Sequence, residues 1–308
     1  MIMEHIFGPV LSRRLGFSLG VDLVPFKTCS LDCIYCQVGR TTHKTIERRD
    51  YISLESVVSE LKDALKQNQK IDYITLSGSG EPTLNIDLGR IITAIKEITD
   101  IPVAVLTNGT LLHLESVRDE LMAADLVVPS LDAASQEIFC EINQPHPDLN
   151  VTQMISGLKS FRKVFPGKIW LEVMMVKGLN DIPEEIERLK SVISSIDFDK
   201  IQLNTTVRPA GDKVIEPVNN EDLNKIKGLL GEQCEIVAGF KENQNTIETD
   251  IPEKIINIIR RRPLNLSEIS DSLGIPKGRT TKYVYLLERQ GRIESITYGS
   301  ESYYQLKR

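Results

Sequence analysis

The chain has 308 residues, of which 41% are hydrophobic and 26% charged, and its formal net charge is −6. These values are ordinary for a globular protein and leave room for one large domain and one small one. Residues 1–20 hold two adjacent arginines and no apolar h-region, and no apolar run nears membrane-spanning length, so neither a signal peptide nor a membrane protein is expected. A cytoplasmic location, with thiols kept reduced, follows as the expectation. The charge is uneven. Residues 251–308 carry eleven Lys and Arg against six Asp and Glu, while the rest carries twenty-six against thirty-seven. Such asymmetry points to parts with different partners or to a solvated basic face.

Residues 20–23 read as a strand entering a loop that carries three cysteines. Ser53 caps a helix in which Leu54, Val57, Val58, Leu61 and Leu65 keep helical spacing. Strands are expected at 71–77, 103–107, 126–130, 169–176 and 201–206, with helices at 87–98, 114–123, 152–164, 183–195 and 221–230. A short extra strand is expected at 234–238. These make six β-α units, whose short apolar strands suit burial on both faces. Six units fit a doubly wound sheet or a partial barrel, and the loops decide between them. Barrel chemistry sits on the loops after the strand C-termini. Here those loops hold the cysteines, then Gly78-Ser-Gly80-Glu81-Pro82, Thr107-Asn108-Gly109, Ser130-Leu131-Asp132 and Asn204-Thr-Thr-Val-Arg208-Pro209. The fold expected for residues 1–240 is therefore α/β, a partial (βα)6 TIM-type barrel.

Residues 246–308 read as a small second domain. A helix at 252–262 ends at Pro263, Ser267 caps a helix at 268–273, and Gly274-Ile275-Pro276 makes a tight turn. A helix at 278–290 turns Val284 and Leu287 inward, and a hairpin turns near Gly299. This order resembles a winged-helix module. Lys277, Arg279 and Lys282 stand at the start of the helix that would meet a groove, where basic residues suit phosphates. Winged helices that bind protein or peptide are the alternative.

Cys29-Ser-Leu-Asp-Cys33-Ile-Tyr-Cys36 has the spacing C-x3-C-x2-C. Three thiolates hold a cubane [4Fe–4S] cluster with one iron left open. A zinc site would want a fourth ligand at short spacing, and the nearest, His43, is seven residues past Cys36. Cys140 and Cys234 are isolated and read as small buried hydrophobes. The segment Leu76-Ser-Gly78-Ser-Gly80-Glu81-Pro82-Thr83 is a glycine-rich loop without the Gly-Lys-Ser/Thr of a nucleotide P-loop. Arg13 and Arg14 form a pair suited to clamping a phosphate or carboxylate, or to simple solvation. Glu172 would be costly inside a barrel unless a partner met it.

The cysteine loop, closed by Tyr35-Cys36, resembles the signature of the radical S-adenosylmethionine (SAM) superfamily, and the Gly78–Pro82 loop resembles its GGEP motif. The resemblance implies that Cys29, Cys33 and Cys36 bind the cluster and that SAM chelates the open iron. One electron, from a donor such as flavodoxin or ferredoxin, would then split SAM and yield a 5′-deoxyadenosyl radical. It implies SAM contacts for Tyr35, Gly78, Ser79, Gly80, Glu81, Asn108, Ser130, Asp132 and Asn204. A side chain at Gly80 would then block SAM while sparing the cluster. Asn108 also reads as an ordinary turn residue, and Asp132 as a cap. Arg208, with Arg13, Arg14, Lys277, Arg279 and Lys282, is a substrate candidate. Over its whole length the chain resembles a group related to the tRNA wyosine-synthesis enzymes, yet Met1–Thr28 lacks the cysteines of their second cluster. The expected substrate is an RNA base, with a peptide or protein as the alternative and a DNA-binding redox regulator as a third reading. The tail is expected to bind substrate and to leave SAM cleavage to the barrel.

Overall fold

The computed structural model describes residues 4–67, 69–206, 215–237, 251–275, 277–299 and 301–307. It opens with an antiparallel pair, β1 (Ile6–Ser12) and β2 (Gly16–Val21). The sequence pattern starts the first strand only at residue 20 and shows no β1. Gly8-Pro9 reads as a breaker, and a register shift between Phe7 and Val10 lets the strand pass through it. The cysteine loop follows, pinned by two short parallel strands, β3 (Thr28–Cys29) and β4 (His43–Lys44).

Repeating units come next: α1 (Leu54–Leu65), β5 (Tyr73–Leu76), a 3₁₀ turn at Pro82–Leu84, α2 (Leu88–Ile98), β6 (Val103–Thr107), α3 (Glu115–Leu121) and β7 (Leu126–Pro129). The Ser53 hydroxyl caps α1 by accepting from Ser56 N at 3.2 Å. Two helices then stand where one was expected, α4 (Gln136–Asn143) and α5 (Val151–Val164). Eight residues give α4 too little periodicity to read. The barrel part ends with β8 (Lys168–Met175), α6 (Pro183–Ile193), β9 (Lys200–Thr205), α7 (Asn220–Leu230) and β10 (Cys234–Ile236).

One sheet joins these strands in the order β1-β2-β5-β6-β7-β8-β9-β10, parallel from β2 onward. Alternate residues split between two faces. Val103, Val105, Val127, Leu171, Val173 and Met175 pack outward in the main core with the helices. Ala104, Leu126, Val128 and Trp170 pack inward around Leu15 from the β1–β2 turn. The sheet is a partial TIM-type barrel whose floor is plugged by its own first hairpin. Among the described residues no helix is long and apolar enough to cross a membrane.

The tail contains α8 (Ile251–Ile259), β11 (Leu264–Asn265), α9 (Leu266–Leu273), α10 (Lys277–Arg289), β12 (Ile293–Tyr298) and β13 (Glu301–Leu306), with a sheet ordered β11-β13-β12. Asn265, rather than Ser267, caps α9: its Oδ1 accepts from Glu268 N at 2.8 Å, and Glu268 returns the bond. The tail does not stand clear of the barrel. Val10 of β1 belongs to its apolar core, with Ile255, Ile259 and Leu287. Arg261 reaches into the barrel to pair with Asp22 at 2.5 Å, and Tyr298 Oη donates to Ile215 O at 2.6 Å. Both ends of the tail thus rest beside the strand C-termini.

In the Arg261–Asp22 pair Asp22 is buried and Arg261 is partly so, with 14% of its side chain exposed. Arg261→Ala should lower chemical-denaturation stability by about 3–5 kcal/mol, because it strands the Asp22 carboxylate. The double variant Arg261→Met, Asp22→Asn, which removes the charge but keeps an acceptor for Ser79 N, should recover part of that loss.

Candidate active site at the strand C-termini

The cysteine loop is held by borrowed partners. The C-terminal turn of α4 offers carbonyls that its own helix cannot use. Asn143 O accepts from Asp32 N at 3.0 Å, and Ile142 O accepts from Ile34 N at 2.9 Å. Asp32 Oδ1 accepts from Thr41 N at 2.6 Å and closes the loop. Burial, then the nearby Glu81 carboxylate, pushes the Cys29 thiol up to about 12. Burial and then Asp132 push Cys33 up as well. Thiolates here therefore need positive charge beside them. Among the described residues no three Cys, His, Asp or Glu groups converge to hold a single metal ion. A cubane takes each thiolate at a different corner, so its ligands surround a volume instead of meeting at a point. Three half-buried thiols on one loop, with burial opposing ionisation at Cys29 and Cys33, fit that group. Cys140 is exposed, contrary to expectation, with Gln136 Nε2 at 3.3 Å from its Sγ, while Cys234 is buried.

The Gly78–Pro82 loop packs against this one. Lys27 N donates to Ser79 O at 2.9 Å, and Glu81 N donates to Thr28 O at 3.1 Å. A Cβ built on Gly80 would lie 1.8 Å from Thr28 O. Gly80 is therefore required by the cysteine loop, whose Thr28 carbonyl would have to shift to admit a side chain. Gly78 has φ 137°, and Asp22 Oδ1 lies 3.0 Å from its Cβ position. Ser79 N and Oγ donate to Asp22 at 2.8 and 2.5 Å, and Arg261 donates to Ser79 Oγ at 2.7 Å. The tail thus braces the loop expected to cradle SAM, where the sequence pattern keeps the two apart. Nothing in that pattern singles out Asp22. Glu81 is buried and met by four donors: Thr83 N, Thr83 Oγ1, Thr107 Oγ1 and Asn108 N, at 2.6–3.1 Å. Burial raises its pKa, and these bonds oppose the rise. Its part is to tie the loops after β5 and β6 together.

Asn108 does more than turn the chain: its Nδ2 donates to Ser30 Oγ at 2.8 Å, with Cys29 Sγ at 3.6 Å. Asp132 is buried. It accepts from Tyr35 Oη, from Asn143 Nδ2 at 2.7 Å and from Met174 N at 2.9 Å. Burial carries its pKa to about 6 in spite of these donors. Asn180, buried behind it, donates to Asp132 O and Met174 O, both at 2.8 Å. Asn143 carries no signal in the sequence. Its Oδ1 is buried with no hydrogen-bond partner among the described residues. An orphan acceptor beside Asp132 and the cysteines suits a ligand bearing N–H or O–H groups, as SAM does. An apolar patch with Tyr35, Ile138, Ile142, Met174 and Val176 adjoins it, of the kind an adenine ring could use. Ser130 lies beside this group, bridging to Glu172 through its backbone.

Glu172 does face the interior, and its partner is Arg14 at 2.5 Å. Burial would raise its pKa, but Arg14, Asn204 and Arg13 hold it below the usual range. Asn204 Nδ2 donates to Glu172 at 3.1 Å, and Arg13 donates to Asn204 Oδ1 at 3.4 Å. The two arginines are half-buried inside the barrel, so the solvated-pair reading fails. Arg208 lies outside the described residues, as do the side chains of Arg279 and Lys282; Lys277 is exposed.

Two outcomes follow. Gly80→Ala should cut the iron retained after anaerobic reconstitution, together with SAM binding. In the cluster-free chain, Asp132 titrates near 6 against 3.8 in model peptides, so releasing its proton costs stability as pH rises across that window. Asp132→Asn should therefore gain stability relative to wild type from pH ~4 to ~6, by roughly 3 kcal/mol at most, and hold that gain above.

A family model for the radical SAM superfamily matches residues 23–190. The chain is similar to UPF0026 protein MJ1312 of Methanocaldococcus jannaschii, at 33% identity over 98% of this chain and 96% of that one. It is 40% identical, over 97% of its length, to a Brachyspira hyodysenteriae protein named GTPase Obg, but spans only 45% of that protein. The Dual-specificity RNA methyltransferase RlmN of Caulobacter vibrioides is 26% identical over 54% of this chain and 44% of its own. The cysteine loop, the glycine-rich loop and the acidic and amide groups around them all fall within or beside the matched span, and the chain belongs to the radical SAM superfamily, enzymes that use a [4Fe–4S] cluster and SAM.

Proposed function

We propose that Cys29, Cys33 and Cys36 hold the cluster, that SAM lies between it and the Tyr35–Asp132–Asn143 group, and that the enzyme modifies an RNA base, with tRNA as the substrate. When bound, the reduced cluster supplies the electron that splits SAM. The electron comes from a flavodoxin- or ferredoxin-type donor. A cytoplasmic setting keeps the three thiols reduced. Asp132, Asn143 and Tyr35 orient SAM's polar groups. Arg13, Arg14, Glu172 and Asn204 form the polar layer that a substrate entering the barrel meets.

The observation that carries the macromolecular reading is the placement of the tail. We read α8–β13 as a winged-helix domain. It is net basic on an otherwise acidic chain and rests on both the Asp22–Ser79 loop and Ile215. It can therefore present a bound polymer to the mouth. The likeness to an RNA methyltransferase over part of the chain supports RNA. One observation favours a protein substrate instead: Tyr285 and Leu286 of α10 are 59% and 46% exposed.

Mass spectrometry of nucleosides from deletion and wild-type cells should show one modified nucleoside missing from tRNA. An unchanged nucleoside profile with an altered peptide would move the substrate to protein. In reconstituted protein, Cys29→Ala, Cys33→Ala and Cys36→Ala should each lose most of the about four irons of one cubane, while Cys140→Ala and Cys234→Ala keep them. The full chain should bind tRNA with affinity that falls steeply with salt. Neutralising Lys277, Arg279 and Lys282 should flatten that slope by about one unit for each phosphate that no longer meets a cation.

A further inference from the structure

Each cysteine of the loop has a side-chain N–H donor of its own. Asn108 Nδ2 lies 3.6 Å from Cys29 Sγ, Asn143 Nδ2 3.4 Å from Cys33 Sγ, and Lys27 Nζ 3.6 Å from Cys36 Sγ. The donors come from the loop after β6, the end of α4 and the turn before β3. Three independent elements thus deliver one donor per thiol. Lys27 is the most unusual of the three. It is 3% exposed and holds a left-handed backbone at φ 63°. Its ammonium also donates to Gly39 O. Neither of these acceptors is a carboxylate, and a buried cation is costly unless negative charge meets it. A cluster on three thiolates is such a charge, and it gains one more negative charge on reduction.

We propose that Lys27, Asn108 and Asn143 are positioning residues that raise the reduction potential of the cluster, with Lys27 the strongest. The proposal rests on the assignment of the cluster to Cys29, Cys33 and Cys36. Net charge and hydrogen bonds to the sulfurs set such potentials, and both favour the more negative, reduced state here. The step is a one-electron reduction by the external donor, in which no bond forms or breaks. Asn108 Oδ1 also accepts from Thr110 N at 3.0 Å, and Asn143 also holds Asp132, so Lys27 is the cleanest to vary.

The test is an EPR-monitored titration of the reconstituted full chain with dithionite and viologen mediators, without SAM, with iron measured on each sample. Lys27→Arg should stay near wild type. Lys27→Gln should fall below it. Lys27→Met, which lacks both charge and donor, should make one-electron reduction about tenfold less favourable, a shift of about 59 mV to more negative potential. Asn143→Ala should shift the same way by less. Lys27→Met at the wild-type potential with four irons retained would overturn the proposal. So would loss of iron in all four variants, since the donors would then only brace the loop. A wild-type chain that takes up no cluster would instead refute the assignment of the cysteines, and iron content alone reveals that case.

Discussion

The loop that brings Cys29, Cys33 and Cys36 together is mostly irregular, with only Thr28–Cys29 in a strand, so its backbone polar groups need partners from elsewhere. Much of the surrounding architecture answers that need. The end of α4 lends its spare carbonyls to Asp32 N and Ile34 N. Thr28 O takes Glu81 N, and Ser79 O takes Lys27 N. The Glu81 carboxylate passes the constraint onward, fixing the loop after β6 through Thr107 and Asn108. The cysteine loop is therefore a shared property of β5, β6 and α4. Little of it can move alone.

Glycine marks the places where this arrangement leaves no room. At Gly80 the Thr28 carbonyl fills the space a side chain would take. The family resemblance assigns that glycine to close approach by SAM. The close approach is real, but the approaching group is the protein's own backbone. A glycine in a binding motif can thus be demanded by the support of a site, one step removed from the ligand.

What is legible in the sequence is mostly local. Apolar runs and caps such as Ser53 fix elements within a few residues of themselves, and the spacing of Cys29, Cys33 and Cys36 is a property of one short segment. What stays hidden depends on contacts between distant parts. Asn143 lies 110 residues from Cys33, and Arg261 lies 182 residues from Ser79. Nothing near Asn143 in the chain says that its amide faces a thiol. Arg261 sits in the run Arg260-Arg261-Arg262, which reads as surface charge. Glu172 falls between these cases. Its cost inside a barrel is legible, and its partner Arg14 is visible as half of a pair, but only the hairpin plug joins them. Cys140 shows the opposite failure: composition favours burial for a lone cysteine, and the outer face of α4 overrides it.

The presence of Val10 in the tail's core has a consequence for how such a protein can change over evolutionary time. The tail cannot complete its apolar interior from its own residues, because the first strand of the barrel supplies one wall. A tail borrowed from another protein would arrive with the wrong complement for that strand, and a barrel given a new first strand would leave the old tail exposed. A change in that strand and a change in the tail's core are therefore coupled. The outward face of α10, where Tyr285 and Leu286 are exposed, carries no such commitment and can vary without disturbing the contact with the barrel.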